Sequence, residues 1–310
     1  MKIFLMIIIP LSAFAVLFLL ASYFAYRHLF GRDERREPTL LKGLDGELTA
    51  ELKRKRELIL KLNERPFKTV KVKSADGVSL RAEYYEGEKG SPVAIGFHGY
   101  RSSAVRDLAG LTELFLERGF SVLLVYQRAH GKSGGKAITF SALERLDALE
   151  WARFAEGELS ANKIILFGMS MGGATVISAS ELPLPEAVKG IIADCPFSRA
   201  RGVIHSVCRQ RGIPYRLLLP LMLVGARLYG GFTLGKRDPV RAISSARVPI
   251  LLIHGEGDTF VPHSMSDELS EAGADLDYVK IKDAPHLLSL MYDEEKYTAS
   301  LDKFLNKILK

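Results

Sequence analysis

Cysteine is nearly missing from this chain of 310 residues: there are two, Cys195 and Cys208. Two thiols cannot build a disulfide scaffold, and their spacing fits no metal-site pattern. Buried free thiols are therefore expected; one disulfide stays open only on an oxidising side of a membrane. Internal repeats and low-complexity tracts are missing as well, so neither a repeat array nor a disordered tail is expected. Charge of one sign is missing from most of the chain. Residues 74–310 hold 28 cationic and 28 anionic side chains. The formal charge of +7 comes from Lys2 and from residues 27–73, which hold 14 Lys and Arg against 8 Asp and Glu. A neutral body does not fit a polyanion, so no nucleic-acid partner is expected. No cluster of ligand side chains implies a metal or an organic cofactor.

What is present is ordinary globular material, with 47% hydrophobic and 25% charged residues, enough for one large α/β domain or two small ones. Ahead of it, Ile3 to Tyr26 carries no charge and is long enough to cross a bilayer as a helix, and Pro10 is tolerable there. A cleaved signal peptide is the alternative, but Ala13-Phe-Ala15 falls too early for its cleavage site and Tyr23-Phe-Ala-Tyr26 has the wrong shape. An uncleaved single-pass anchor over residues 1–28 is expected, with the lipid bilayer as partner. Arg27, Arg32, Arg35, Arg36 and Lys42 follow the span, against Lys2 and the α-amino group before it, so the positive-inside tendency leans towards a cytoplasmic body.

Residues 29–66 form a basic juxtamembrane linker. Within it Glu47, Leu48, Leu52, Glu57, Leu58, Ile59 and Leu62 recur at near-helical spacing around Lys53-Arg-Lys-Arg56, predicting an amphipathic helix over about 45–65 that Pro66 ends. Its cations face either anionic lipid or solvent. From residue 67 to 310 a single domain is expected. Thr69–Lys73 and Val78–Tyr85 around Asp76-Gly77 predict a hairpin. Buried strands then alternate with helices: Val93–Phe97, Ser121–Tyr126, Lys163–Phe167, Gly190–Ala193, Ile250–His254 and Asp277–Ile281, with helices such as Asp107–Arg118, Ser141–Phe154 and Asp267–Ala272. That alternation predicts a mostly parallel sheet covered by helices on both faces. The connection from Cys195 to Val248 is too long for a simple loop, and its apolar run Tyr215–Val224 predicts a helical cap at about 197–247; a helix that merely packs on the body is the other reading.

The chemistry centres on Ile164-Ile-Leu-Phe-Gly-Met-Ser-Met-Gly-Gly-Ala174. A buried strand runs into Gly-x-Ser-x-Gly and then into a helix, which is the setting that exposes a serine on a strained turn. The hydroxyl of Ser170 needs a base to take its proton, and the base needs an acid to orient it. In an open α/β sheet such groups gather at the carboxyl ends of strands. Asp258, in His254-Gly-Glu-Gly-Asp258, follows one strand, and His286, in Asp283-Ala-Pro-His286, follows the last. Asp194 is the rival acid, expected to brace a turn instead. The backbone N–H groups of Met171 and Tyr100 are expected to form an oxyanion hole. Of the other histidines, His98, His130 and His254 are expected to be structural, and His205 and His263 exposed.

With Phe97-His-Gly99, Gln127–Ser133, Gly168–Gly173, Ala193-Asp-Cys-Pro196, His254–Asp258 with Val261-Pro262, and His286 in view, residues 67–308 resemble the α/β-hydrolase superfamily. Within it they are similar to bacterial membrane-anchored hydrolases related to serine aminopeptidases and prolyl-oligopeptidase-like enzymes. The resemblance implies an α/β-hydrolase fold and a Ser170–His286–Asp258 triad that passes through an acyl-enzyme, and it implies that Arg128 is structural. Pro285 stands where relatives carry glycine. A small acyl ester is the expected substrate; a peptide, amide or thioester would suit the same residues, and a non-catalytic binding protein at the membrane is the reading from another class.

Overall fold

The computed structural model describes residues 2–32 and 48–310; Arg35, Arg36, Lys42 and Glu47, given parts in the sequence reading, lie outside the described residues. Helices α1 (Lys2–Leu29) and α2 (Ala50–Asn63) lead into strands β1 (Lys68–Lys73), β2 (Ser79–Tyr85) and β3 (Val93–Phe97). Next come α3 (Ala104–Glu117), β4 (Ser121–Tyr126), α4 (Glu144–Gly157), β5 (Ile164–Met169), α5 (Met171–Ala179) and β6 (Val188–Asp194). Helices α6 (Ala200–Gln210), α7 (Tyr215–Leu228) and the short α8 (Pro239–Ala242) fill the long connection to β7 (Ile250–Gly255). Then α9 (Ser264–Ala272), β8 (Leu276–Ile281), α10 (Ser289–Tyr292) and α11 (Glu294–Ile308) follow.

The strands form one sheet in the order β1-β2-β4-β3-β5-β6-β7-β8. Strand β2 runs antiparallel to β1 and β4, and every other pair is parallel. The central strands β3, β5 and β7 are buried at every position, which is why they are unbroken apolar runs rather than alternating ones. Strand β1 is the exposed edge, and Lys68, Lys71 and Lys73 there discourage pairing with another chain. On one face of the sheet α2, α3 and α11 close a core around Phe115, Phe167, Tyr297 and Phe304. On the other α4, α5 and α9 close a second around Trp151, Ile177 and Leu269. This is the α/β-hydrolase fold.

Helix α2 does not lie apart from the body. It packs along α3, with Ile59 and Leu62 fully buried, and Arg65 holds the Glu113 carboxylate with two nitrogens at 2.7 and 2.8 Å. Of the cations at 53–56, Arg54 pairs with Glu294 and Lys55 turns inward to the Leu287 carbonyl, leaving Lys53 and Arg56 exposed. A third apolar cluster joins α6 and α7 to the end of α1. There Phe30 is fully buried, edge-on to Phe140 at 5.8 Å and Phe232 at 5.3 Å. Gly31 bridges to Ala137, and the Ile138 amide donates to the Phe30 carbonyl at 2.7 Å. Packing thus runs across the sequence boundary at residues 28 and 29.

Candidate active site

Ser170 sits on the turn between β5 and α5 with φ 53° and ψ −118°, outside the helical and extended regions that a side chain favours. The turn is so tight that a Cβ on Gly172 would fall 1.8 Å from the Phe97 carbonyl oxygen. Only glycine fits, which is the physical content of the second glycine in the motif. The Ser170 amide donates to the Asp194 carbonyl at 2.9 Å, tying the turn to the end of β6. The hydroxyl is left facing Nε2 of His286 at 3.1 Å.

His286 lies beyond β8, and its Nδ1 is 2.6 Å from Oδ2 of Asp258. The two loops meet because Gly255 leaves room: a Cβ there would sit 2.1 Å from the Ala284 carbonyl oxygen. The other carboxylate oxygen of Asp258 accepts from the amides of Phe260 (2.9 Å) and Val261 (2.8 Å). Burial raises its pKa, but hydrogen bonds from His254 and His286 outweigh that and hold it at about 2. Asp194 meets the opposite balance. It is fully buried, accepts from Ser289 Oγ at 3.0 Å and Tyr297 Oη at 3.2 Å, and burial raises its pKa. The structure therefore brings Asp258 to His286 and leaves Asp194 bracing the α10–α11 segment. Pro285 does not keep His286 from Ser170.

The loop after β3 closes over the serine. A Cβ on Gly99 would be 3.8 Å from Ser170 Oγ, and Tyr100 is the next residue in the chain. Met171 opens α5, where the first amides of a helix lack intrahelical acceptors. Asp107, on α3, fixes the loop by accepting from the Gly99 amide at 2.8 Å and from Ser102 Oγ at 2.6 Å. His98 and His130 brace it from beneath. The Gln127 amide donates to His98 Nε2 at 3.2 Å, and the Arg101 amide to His130 Nε2 at 3.0 Å. Burial lowers the pKa of both rings, so they are neutral supports. His254 supports the acid instead, with Nδ1 2.6 Å from Ser266 Oγ and Nε2 2.9 Å from the Val261 carbonyl. His205 is exposed and His263 half-buried. Arg128 pairs with buried Asp147 at 2.6 Å.

Two residues that hold the loops around the site escaped the sequence reading. Asp107 carries no motif, and its signal would have been a carboxylate eight residues beyond Gly99. Lys55 comes from α2, its Nζ 3.2 Å from the carbonyl of Leu287, the residue after the candidate base. Burial lowers its pKa. The thiol of Cys195 lies within 4.8 Å of the Asp258 carboxylate and the His286 ring, a trio that could in principle hold a metal ion. Nδ1 and Oδ2 already bond each other, however, and burial raises the thiol pKa well above its usual value, which disfavours the thiolate a metal requires. Cys195 and Cys208 are both free.

Comparisons with known proteins fall on the same elements. A family model for serine aminopeptidases (S33) matches residues 91–223, from β3 into α7. An uncharacterised protein of Bacillus subtilis, YqkD, is 25% identical over 250 residues, covering 76% of this chain and 78% of its own. A thiohydrolase of Aspergillus aculeatus is 30% identical over 181 residues, 57% of this chain and 54% of that protein. Among solved structures, an esterase of Pyrococcus furiosus superposes with a TM-score of 0.64 at 23% identity, covering 86% of this chain and 96% of the esterase. The family model and the solved fold are both laid on the sheet that carries Ser170, and the chain has the α/β-hydrolase fold.

Proposed function

We propose that this protein is a membrane-anchored serine hydrolase that cleaves carboxylic esters of modest size. The observation that carries the reading is the unbroken chain from Ser170 Oγ through His286 to the charged carboxylate of Asp258, set on a strained turn. His286 takes the Ser170 proton as the oxygen attacks the acyl carbon, and Asp258 holds the ring and stabilises its charge. The amides of Met171 and Tyr100 receive the oxyanion, each such donor being worth roughly 10²–10³ in rate. The proton passes to the leaving alkoxide, and water then resolves the acyl-enzyme through the same base. The apolar cluster of α6, α7 and the end of α1 adjoins Met171 and Tyr100, which suits an acyl chain. Among the described residues α1 alone is long and apolar enough to cross a membrane, over Ile7–Leu29. The basic flank at Arg27 and Arg32 favours a cytoplasmic body, and a carboxyl-terminal reporter active only in the cytoplasm would be silent if that orientation were reversed.

The similarity to a thiohydrolase favours acyl thioesters as a second reading. The test is labelling of the full-length protein in membranes with a fluorophosphonate, beside Ser170→Ala and His286→Ala. Only the parent should label, and an unlabelled, folded parent would sink the triad. Rates on matched p-nitrophenyl esters, acyl thioesters and aminoacyl amides then rank the substrates.

A further inference from the structure

Helix α1 is not a tether on a hinge. Its second half is built into the cap: a Cβ on Gly225 of α7 would meet the Ser22 carbonyl oxygen at 2.5 Å, so the two backbones touch without a side chain between them. Tyr229 Oη donates to the Leu19 carbonyl at 3.1 Å. Tyr23 and Tyr26 flank the Tyr229 ring at 5.2 and 6.0 Å between centroids. Residue 225 lies by 22 and 26, and residue 229 by 19 and 23, so α7 runs antiparallel to α1 and its carboxyl end points along α1 into the apolar run. The last turn of α1 is locked as well, since Arg101 Nη2 donates to the His28 carbonyl at 2.6 Å and Tyr100 Oη to that of Leu29 at 2.7 Å.

This fixed join sets how deep the body sits. The candidate span Ile7–Leu29 overlaps the segment that α7 clasps from Leu19 onward. A helix rising about 1.5 Å per residue crosses roughly 30 Å of hydrocarbon in about 20 residues. The charge-free run Ile3–Tyr26 is only slightly longer than that, so the near boundary of the hydrocarbon falls within about a turn of Tyr23, level with the end of α7. At that level the end of α7 and the residue after it expose Arg227, Leu228 (60% exposed) and Tyr229, and α1 exposes Leu20 and Phe24. An apolar side chain and an aromatic ring with a polar tip, followed towards the body by a long cation, are groups that suit the boundary between acyl chains and headgroups.

We propose that the carboxyl end of α7 is a second membrane contact, seated at the boundary between acyl chains and headgroups of the leaflet that α1 enters. The occupant of this exposed edge is lipid. The inference rests on the anchored reading above and deepens it: the cap element adjoining Met171 stands on the bilayer, so the substrates best placed for Ser170 are acyl esters resident in that leaflet.

Tryptophan quenching tests this in the full-length protein, because the native Trp151 is fully buried and supplies a constant background. Leu228→Trp, Phe14→Trp and Lys303→Trp proteins would be reconstituted in phosphatidylcholine vesicles with and without bromine on the upper acyl carbons; all three native side chains are exposed, so the fold should tolerate each change. Loss of fluorescence in Leu228→Trp as well as Phe14→Trp, with Lys303→Trp unchanged, is expected. Quenching of Phe14→Trp without Leu228→Trp would overturn the inference and leave the anchor standing. Quenching of neither would remove both.

Discussion

Asp194 ends β6 and Asp258 follows the neighbouring β7; burial raises the pKa of both, and their hydrogen bonds decide the outcome. Hydrogen bonds keep Asp258 charged down to about pH 2, whereas Asp194 is pushed towards its neutral form. Asp258→Asn should therefore lower kcat/KM about 10⁴-fold, by leaving the imidazolium without its counter-charge and favouring the wrong tautomer. Asp194→Asn should leave kcat/KM within a few-fold but lower stability by about 1–2 kcal/mol, since Ser289 and Tyr297 donate to different carboxylate oxygens and one of these becomes an NH2 that cannot accept. Steady-state kinetics beside urea melts would separate the two. The lowered pKa of Asp258 also makes a stability prediction. Its contribution, about 2 kcal/mol, is fully present above about pH 4 and is lost as pH falls through about 2. Urea midpoints followed from pH 5 downward should fall more steeply for the parent than for Asp258→Asn, and parallel curves would contradict this. Asp194 carries the opposite sign, its contribution fading as pH rises.

At the level of elements, the join of α1 to the cap and the inward lysine of α2 make the amino-terminal segment part of the body that holds the candidate site. Phe30→Ala empties a fully buried aromatic site between Phe140 and Phe232 and should cost about 3–5 kcal/mol, measured as a fall in melting temperature in detergent. Lys55→Met should lower kcat about ten-fold with KM unchanged, the worth of one hydrogen bond from a charged donor, because the Leu287 carbonyl loses the group that holds the loop of His286. An equal change in kcat and KM would assign Lys55 to packing alone. These elements also mark where sequence reading stops. Ser170, Asp258 and His286 were legible because each lies in a local signal, a glycine-bracketed turn or a short segment after a buried strand. All eight strands were legible too, to within two residues at most ends, because central parallel strands are unbroken apolar runs. Lys55 and Phe30 were not, since their partners stand 232 residues away in the one case and across the cap in the other. Periodicity shows that α2 has an apolar face but not that α3 covers it.

Considered whole, the molecule divides at about residue 18 rather than at the end of its apolar run. Phe4, Leu11, Phe14 and Leu17 are exposed, whereas Ser22, Tyr26 and Phe30 are buried in the body. Removal of residues 1–17 should leave melting temperature in detergent and fluorophosphonate labelling as in the full chain, while removal of residues 1–32 should lower both; equal behaviour of the two truncations would show the cap to be self-sufficient. If α1 is the anchor proposed above, the same join governs how the protein could leave the membrane. A protease cutting between Arg32 and Leu48 would sever the chain without freeing the body, because Phe30 and Gly31 would stay wedged against Phe232 and Ala137. In the anchored protein proposed above, shedding an active soluble fragment would thus be closed, and turnover would require pulling the whole protein from the bilayer and unfolding it.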